Sequence, residues 1–78
     1  MGRQLGYTTY SLRRLQQRSI SKDEAQEVVD NPGTILPCPD HPSRKRYRAS
    51  HGGRRLSVVV ETALWIVITA YDEDEDDR

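Results

Sequence analysis

The sequence contains no phenylalanine, a single cysteine and no long apolar run. Trp65 and four tyrosines are the aromatic residues among 78, so the hydrophobic core of so short a chain must be small. One cysteine excludes an internal disulfide framework and fits a reducing compartment. No segment approaches the ~20 apolar residues of a transmembrane helix, and no signal-peptide core follows Met1. We therefore expect one small soluble domain, cytoplasmic and without a membrane partner.

The formal net charge of zero hides two oppositely charged segments. Residues 72–77 are six consecutive acids, followed by Arg78, whereas residues 1–71 carry 11 lysines and arginines against 6 acids. We predict a single domain over residues 1–71 and an acidic, disordered tail over residues 72–78. The basic domain indicates a polyanionic partner such as RNA. The tail is either a solvated end or a strip that folds back over the basic surface.

Two short helices are predicted ahead of residue 34. Thr8 or Thr9 can cap the first helix, which runs to about Gln17. Ser21 and Glu24 form a capping box for the second helix. Its apolar face and its stop signal follow along the chain: Ala25, Val28 and Val29, then Asn31-Pro32-Gly33. Two helices joined by so short a connection are expected to pack antiparallel.

The second half of the chain carries strand signals. We predict a short edge strand over residues 34–36, ended by Pro37, and three longer strands over residues 44–50, 54–61 and 65–71. The predicted fold is therefore α+β. Two N-terminal helices pack on one face of a small twisted antiparallel sheet of three to four strands.

A two-residue hairpin turn at Gly52-Gly53 sets the register of two of these strands. It places Tyr47 opposite Val58 and Arg44 opposite Glu61. With a three-residue loop before the last strand, the predicted pairs are Val60 with Ile66, Val58 with Ile68 and Leu56 with Ala70. The core face then consists of Tyr47, Leu56, Val58, Val60, Ile66 and Ile68.

The opposite face of the predicted sheet is rich in cations, hydroxyl groups and aromatic rings. Its members are Arg44, Arg46, Arg48, Ser57, Val59, Trp65, Val67, Thr69 and Tyr71. Three arginines beside such groups suit phosphates and stacked bases. Long charged residues on exposed strands also serve solubility and edge protection, so the arginines alone leave a purely structural role open. The large aromatic residues favour binding, because they usually prefer burial.

The order of elements and several motifs resemble a short, uncharacterised bacterial family. The opening signature of that family, His-Ala-x-x-Arg-apolar-x-x-Arg-Gly-Ile-Ser, resembles residues 10–21, where Tyr10, Ser11 and Ser19 replace the histidine, alanine and glycine. Matching pieces follow in order: Asn31-Pro32, Arg46-Tyr47-Arg48, Gly52-Gly53, Val58-Val59-Val60 and Val67-Ile68-Thr69-Ala70-Tyr71. The resemblance covers residues 9–71, and the family itself looks like a distant branch of the RelE/ParE/BrnT-like toxin superfamily.

The resemblance implies metal-independent RNA cleavage on the open face of the sheet, with an antitoxin or another protein as partner. Carried over by position, the functional residues are Arg14 and Arg18 on the first helix, Arg46 or Arg48 on a strand, and Thr69 and Tyr71 at the end. Tyr10 in place of the family histidine removes a general acid or base with a near-neutral pKa. His51, beside the glycine turn, can substitute for it, or the protein keeps the scaffold without the activity.

Two functions are open from the sequence. The first is a metal-independent endoribonuclease toxin, in which arginines neutralise the phosphate. Its candidate residues are Arg46, Arg48, His51, Thr69 and Tyr71 for catalysis, and Arg14, Arg18, Arg44, Arg54, Arg55, Trp65 and Tyr10 for RNA binding. The second is a non-catalytic module that docks nucleic acid or a partner protein on the same basic face. We expect no cofactor and no metal site, because the histidines and the cysteine lack paired spacing, and we expect His41 and Cys38 to be ordinary loop residues.

Overall fold

The computed structural model describes residues 3–73. These residues form β1 (Gly6–Tyr7), α1 (Thr9–Gln17), α2 (Lys22–Asp30), β2 (Thr34–Pro37), β3 (Arg44–His51), β4 (Arg54–Glu61) and β5 (Ile66–Asp72). The strands make one sheet in the order β1-β5-β4-β3-β2. Within the described residues, neither helix is long and apolar enough to cross a membrane.

The sheet is larger than the sequence predicted, and it is mixed. Within residues 3–73 it has five strands, and β1 runs parallel to β5 whereas the other neighbours are antiparallel. The prediction of three to four antiparallel strands is therefore wrong, although the class is α+β. A strand of two residues is too short to show a period-two pattern. It joins the sheet through the Gly6 N–H, which donates to the Trp65 carbonyl at 2.9 Å.

Both helices begin at capping boxes. At α1, Thr8 Oγ1 accepts a hydrogen bond from the Ser11 N–H, and Ser11 Oγ accepts one from the Thr8 N–H. Ser21 and Glu24 exchange the same pair of bonds at α2, which confirms the predicted box. These bonds satisfy N–H groups that the first helical turn leaves without partners.

The connection between the helices contains a serine in the left-handed region. Ser19 has φ 55°, a conformation that glycine adopts without penalty. Glycine would therefore fit this position without strain. Arg54 holds the end of α1 in place, because its Nη1 and Nη2 donate to the carbonyls of Ser19 and Arg18, each at 3.1 Å.

The hairpin of β3 and β4 has the register that the glycine pair predicts. Gly52 and Gly53 have φ values of 61° and 81°, as a type I′ turn requires. Tyr47 pairs with Val58, and every partner predicted across these two strands is confirmed. The arginines of β3 therefore lie on the face opposite to Tyr47.

The register of β5 against β4 differs from the prediction. The observed pairs are Val60 with Val67, Val58 with Ala70 and Leu56 with Asp72, where the prediction had Ile66, Ile68 and Ala70. A four-residue turn replaces the predicted three-residue loop, since the Trp65 N–H donates to the Glu61 carbonyl at 2.7 Å. A β-bulge shifts the pairing again. Val67, predicted on the opposite face, is fully buried in the core, and Ile66 and Ile68 are only partly buried.

The core lies between the helices and one face of the sheet. α2 packs against β3 and β4, and α1 packs against β5. The buried apolar residues are Leu5, Leu15, Ile20, Ala25, Val28, Val29, Tyr47, Leu56, Val58, Val60, Val67 and Ala70. No helix of the described chain covers the other face of the sheet, which we call the open face.

The last strand continues into the acidic segment. Asp72 ends β5 and is buried, and its Oδ2 accepts a hydrogen bond from Arg54 Nε at 3.1 Å. Glu73 follows, with its N–H donating to the Arg55 carbonyl at 2.8 Å. The predicted boundary after residue 71 therefore falls inside β5. The disorder predicted for residues 74–78 concerns a segment outside the described residues.

Candidate nucleic-acid interface

The open face carries the arginines of β3 at alternate positions. Arg44, Arg46 and Arg48, which we call the arginine row, lie opposite Glu61, Val59 and Ser57 of β4. On β5, Thr69 pairs with Val59 and Tyr71 pairs with Ser57. Directly paired residues share one face of a sheet. The structure therefore brings the arginine row, Thr69 and Tyr71 together, as the sequence indicates.

Arg46 reaches the last strand across β4. Its Nη1 donates a 2.7 Å hydrogen bond to Tyr71 Oη. The Nε of Arg46 is buried and has no hydrogen-bond partner among the described residues. A buried charged donor without a partner is costly, and an anion removes that cost when the side chain moves enough to expose the Nε.

The first arginine of the row is paired with a carboxylate. Arg44 Nε lies 3.2 Å from Glu61 Oε1. A hydrogen bond with Ser43, reinforced by Arg44, lowers the pKa of Glu61 below its ordinary value of 4.5. Both side chains of this ion pair are partly exposed, so it orients Arg44 more than it stabilises the fold.

The last arginine of the row meets the beginning of the acidic segment. Arg48 Nε lies 3.2 Å from Glu73 Oε2. The same oxygen accepts a hydrogen bond from Ser57 Oγ, and Ser57 is fully buried. Within residues 3–73, Arg46 is thus the member of the row without a carboxylate partner.

The connection between β2 and β3 forms a groove beside Arg46. Two turns shape residues 38–43, closed by hydrogen bonds from the His41 N–H to the Cys38 carbonyl and from the Arg44 N–H to the His41 carbonyl. The groove has a volume of about 310 Å³, and its walls include His41, Arg46 and Tyr71. Sequence reasoning missed His41 because its proline-flanked position gives no sign that the loop turns back toward the sheet.

A second depression lies at the other end of the arginine row. It has a volume of about 230 Å³, and its walls include Thr34, Arg48, Ser50 and Arg55. Arg55 is exposed and pairs with Ser50, two residues beyond the Arg48–Ser57 pair. Arg55, a predicted RNA ligand, therefore extends the open face.

No family model, no curated protein and no solved structure matches this chain. The resemblance to the toxin superfamily therefore stays a prediction. Among residues 3–73, no three histidine, cysteine, aspartate or glutamate side chains are grouped so that they could hold a metal ion. A proposal for the function therefore rests on the geometry of the open face.

His51 and Arg54 lie away from the open face. They pair with each other at the hairpin end, on the side that faces the helices. His51 Nε2 is 3.9 Å from Glu24 Oε2, and Arg54 is bound to Asp72 and to the end of α1. The sequence predicted His51 as a catalytic residue and Arg54 as an RNA ligand, but alternate residues of a strand point to opposite faces, so neither lies beside the arginine row. Arg54 therefore has a structural role, and His51 is not beside Arg46.

Trp65 is also absent from the open face, where the sequence placed it. Its ring packs edge-on against the core residue Tyr47, with 6.2 Å between ring centres. The indole Nε1 donates to the Arg3 carbonyl at 3.2 Å, and the Arg3 guanidinium lies 5.7 Å from the ring centre. Trp65 has φ 58°, a turn conformation rather than the strand conformation that the prediction assumed.

The first helix carries the three remaining predicted RNA ligands. Tyr10 is 59% exposed, and the Arg14 guanidinium lies 5.7 Å from the centre of its ring. Arg14 Nη1 also donates to Gln17 Oε1 at 3.3 Å, and Arg18 closes the helix. Because α1 packs on the core side of β5, these residues do not extend the open face.

Proposed function

We propose that the protein binds single-stranded RNA through its open face. The observation that carries this proposal is Arg46, whose buried Nε has no described partner and whose Nη1 is held by Tyr71. A phosphate oxygen is the acceptor that a guanidinium so placed binds best. The other arginines of the face add charge on either side, and such phosphate contacts supply most of the affinity of non-specific nucleic-acid binding.

The surroundings of Arg46 favour single-stranded RNA over an RNA duplex. The open face has two depressions on either side of the centre of the row, and Tyr71 and Thr69 add a ring and a hydroxyl group. Unpaired bases stack on aromatic rings and on guanidinium planes, and polar groups beside the backbone can read the 2′-hydroxyl. RNA in the cytoplasm is accordingly the proposed ligand.

The binding test uses fluorescence anisotropy with an end-labelled 15-nucleotide RNA in EDTA. Arg46→Ala should weaken binding about ten- to hundred-fold, since a charge-assisted hydrogen bond is worth about 1.5–3 kcal/mol. Arg13→Ala removes the same positive charge from an exposed helix position. Apart from the non-specific effect of losing one positive charge, it should change RNA affinity less than two-fold. Equal losses in the two variants, or equal affinity for duplex DNA, would overturn the proposal.

A second candidate function is cleavage of the bound RNA, and the position of His41 favours it. His41 lines the same groove as Arg46 and Tyr71, and histidine can accept a proton near neutral pH. His41 would take the 2′-hydroxyl proton; the 2′-oxygen would attack phosphorus, and the P–O5′ bond would break as water protonates the leaving oxygen. Arg46 would stabilise the charge that develops on the phosphate. This metal-independent reaction is that of the predicted toxin, whose antitoxin partner would cover the open face.

The chain offers a matched control for this second function. His41→Ala should abolish formation of 2′,3′-cyclic phosphate ends, whereas His51→Ala should leave it unchanged, because His51 lies on the other face. RNA with 2′-deoxy linkages should resist cleavage. Intact RNA after prolonged incubation with protein that binds it would reject cleavage and leave binding as the function.

A further inference from the structure

We propose that Arg48 and Ser57 form a subsite for an RNA phosphate, and that Glu73 occupies this subsite as an intramolecular competitor. The inference rests on the proposed binding of RNA to the open face. It adds a second phosphate position to that face and a carboxylate that opposes binding there.

The donors of the subsite converge on one oxygen atom. Glu73 Oε2 accepts a hydrogen bond from Ser57 Oγ and lies 3.2 Å from Arg48 Nε, with which it forms an ion pair. Ser57 is fully buried, so its hydroxyl has a fixed environment rather than a solvated one. A hydroxyl that donates to an anionic oxygen, with a guanidinium beside that oxygen, suits a phosphate oxygen equally well.

The carboxylate is brought to the subsite by the fold. Asp72, the preceding residue, is buried at the end of β5 and bound by Arg54. The Glu73 N–H donates to the Arg55 carbonyl at 2.8 Å, which sets the direction of the chain where the strand ends. The contact of Glu73 with Arg48 therefore depends on backbone pairing and not on a mobile surface side chain alone.

The subsite is placed to act together with Arg46. Arg46 and Arg48 are two residues apart on β3, which corresponds to about 7 Å along a strand. Tyr71, the partner of Arg46, lies opposite Ser57. Phosphates of one RNA strand can therefore contact both arginines once the Glu73 carboxylate has moved away from Arg48 and Ser57.

The ion pair between Arg48 and Glu73 is weak enough for an RNA phosphate to displace the Glu73 carboxylate. The side chains of Arg48 and Glu73 are 36% and 21% exposed, so solvent and salt screen their attraction. A tethered group competes at an effective concentration of about the millimolar range, and the acids that follow Glu73 in the sequence repel RNA as well. We therefore expect Glu73 to reduce RNA affinity several-fold and not to abolish binding.

The first test compares two variants that remove one charge from the same acidic segment. Glu73→Gln should tighten binding of the labelled RNA about two- to five-fold at low salt, which is the range of an exposed ion pair. Glu75→Gln should change it less, and the curves should converge above about 0.3 M salt. Equal gains from both variants would show a general charge effect and overturn the inference. Thermal unfolding checks that both variants stay folded.

The second test observes the subsite directly. In Glu73→Gln, inorganic phosphate should produce a saturable shift of the Arg48 Nε–Hε NMR signal, and the wild-type protein should need a higher concentration. Adding Glu73→Gln to Arg48→Ala should give no gain in RNA affinity. Absence of the phosphate shift would overturn the subsite.

The two proposals fail in different ways. RNA binding that depends on Arg46 but is unaffected by Glu73→Gln would reject the competitor and keep the proposed function. Absence of RNA binding in every variant would reject the proposed function, and the phosphate titration would still decide whether Arg48 and Ser57 bind an anion.

Discussion

Arg46 Nη1 and Tyr71 Oη lie 2.7 Å apart, although β4 separates their strands. The bond passes over Val59, which pairs with Arg46 on one side and with Thr69 on the other. A shift of β5 by one residue would turn Tyr71 toward the core, because side chains alternate between the two faces. The candidate site therefore depends on the mutual register of three strands.

Tyr71→Phe should weaken RNA binding and leave the fold nearly intact. The phenyl ring keeps its packing, but Arg46 loses the hydroxyl that holds its Nη1. We expect a loss of about 0.5–1.5 kcal/mol in the free energy of unfolding and a fall of about three- to ten-fold in RNA affinity. Urea unfolding and fluorescence anisotropy measure the two effects. Tyr10→Phe, which removes an exposed hydroxyl on α1, is the control, and unchanged affinity in Tyr71→Phe would refute the role of the bond.

Arg54→Ala should destabilise the protein and spare RNA binding. Its guanidinium binds the buried Asp72 and the carbonyls that end α1. Because 30% of the side chain is exposed, we expect a loss of about 2–3 kcal/mol, less than for a fully buried ion pair. Arg13→Ala, at an exposed helix position, should stay within about 0.5 kcal/mol. Similar urea midpoints for both variants would contradict this structural assignment.

Glu61→Gln should reduce stability at neutral pH and have less effect in acid. The folded-state pKa of Glu61 is lowered, first by the bond with Ser43 and then by Arg44. A carboxyl with a lowered pKa stabilises the fold above its ordinary value of 4.5 and loses that contribution as the pH falls through the folded-state pKa. The difference in urea midpoint between wild type and variant should therefore shrink below about pH 4.5.

An NMR titration supplies the control for the same group. Ser43→Ala removes the largest cause of the shift, so the pKa of Glu61 should rise toward its ordinary value. An unchanged titration curve in Ser43→Ala would assign the shift to other neighbours. A difference in midpoint that stays constant from pH 7 to pH 3 would reject the linkage altogether.

Two opposite glycine substitutions should change stability in opposite directions. Ser19→Gly relieves a positive φ of 55° and should stabilise the protein by about 0.5–1 kcal/mol. Gly53→Ala places a side chain at φ 81° and should cost about 1 kcal/mol. Gly33→Ala is the control, because its Cβ would meet only the Arg48 carbonyl, at an ordinary 3.5 Å. The midpoint of thermal unfolding measures both effects. A lower midpoint for Ser19→Gly than for the wild type would show that Ser19 is not strained at this turn.

Local signals were sufficient for the helices and for one hairpin. Ser21 and Glu24 predict a capping box from spacing alone, since both partners lie within one helical turn. Gly52 and Gly53 predict the register of β3 and β4 because a two-residue turn leaves no freedom of alignment. The grouping of the arginine row on one face follows from that register.

Features that depend on residues distant in the sequence could not be predicted from such local signals. The left-handed conformation of Trp65 and the β-bulge shift β5, and that shift brings Val67 into the core. His41 reaches the groove because its loop turns toward Arg46. None of these contacts leaves a periodic pattern in the chain.

The sequence by itself determined two capped helices, a glycine-turn hairpin and a row of arginines on one strand face, because each rests on neighbours a few residues apart. Only the tertiary structure decided which groups meet that row. Beyond Tyr71, which the sequence already placed on that face, it put Glu73 against Arg48 and His41 in the groove beside Arg46, and it took Trp65 away from the row. The reason is physical: strand pairing across β4 and β5 sets which side chains share a face, and the buried contacts of the whole core fix that pairing.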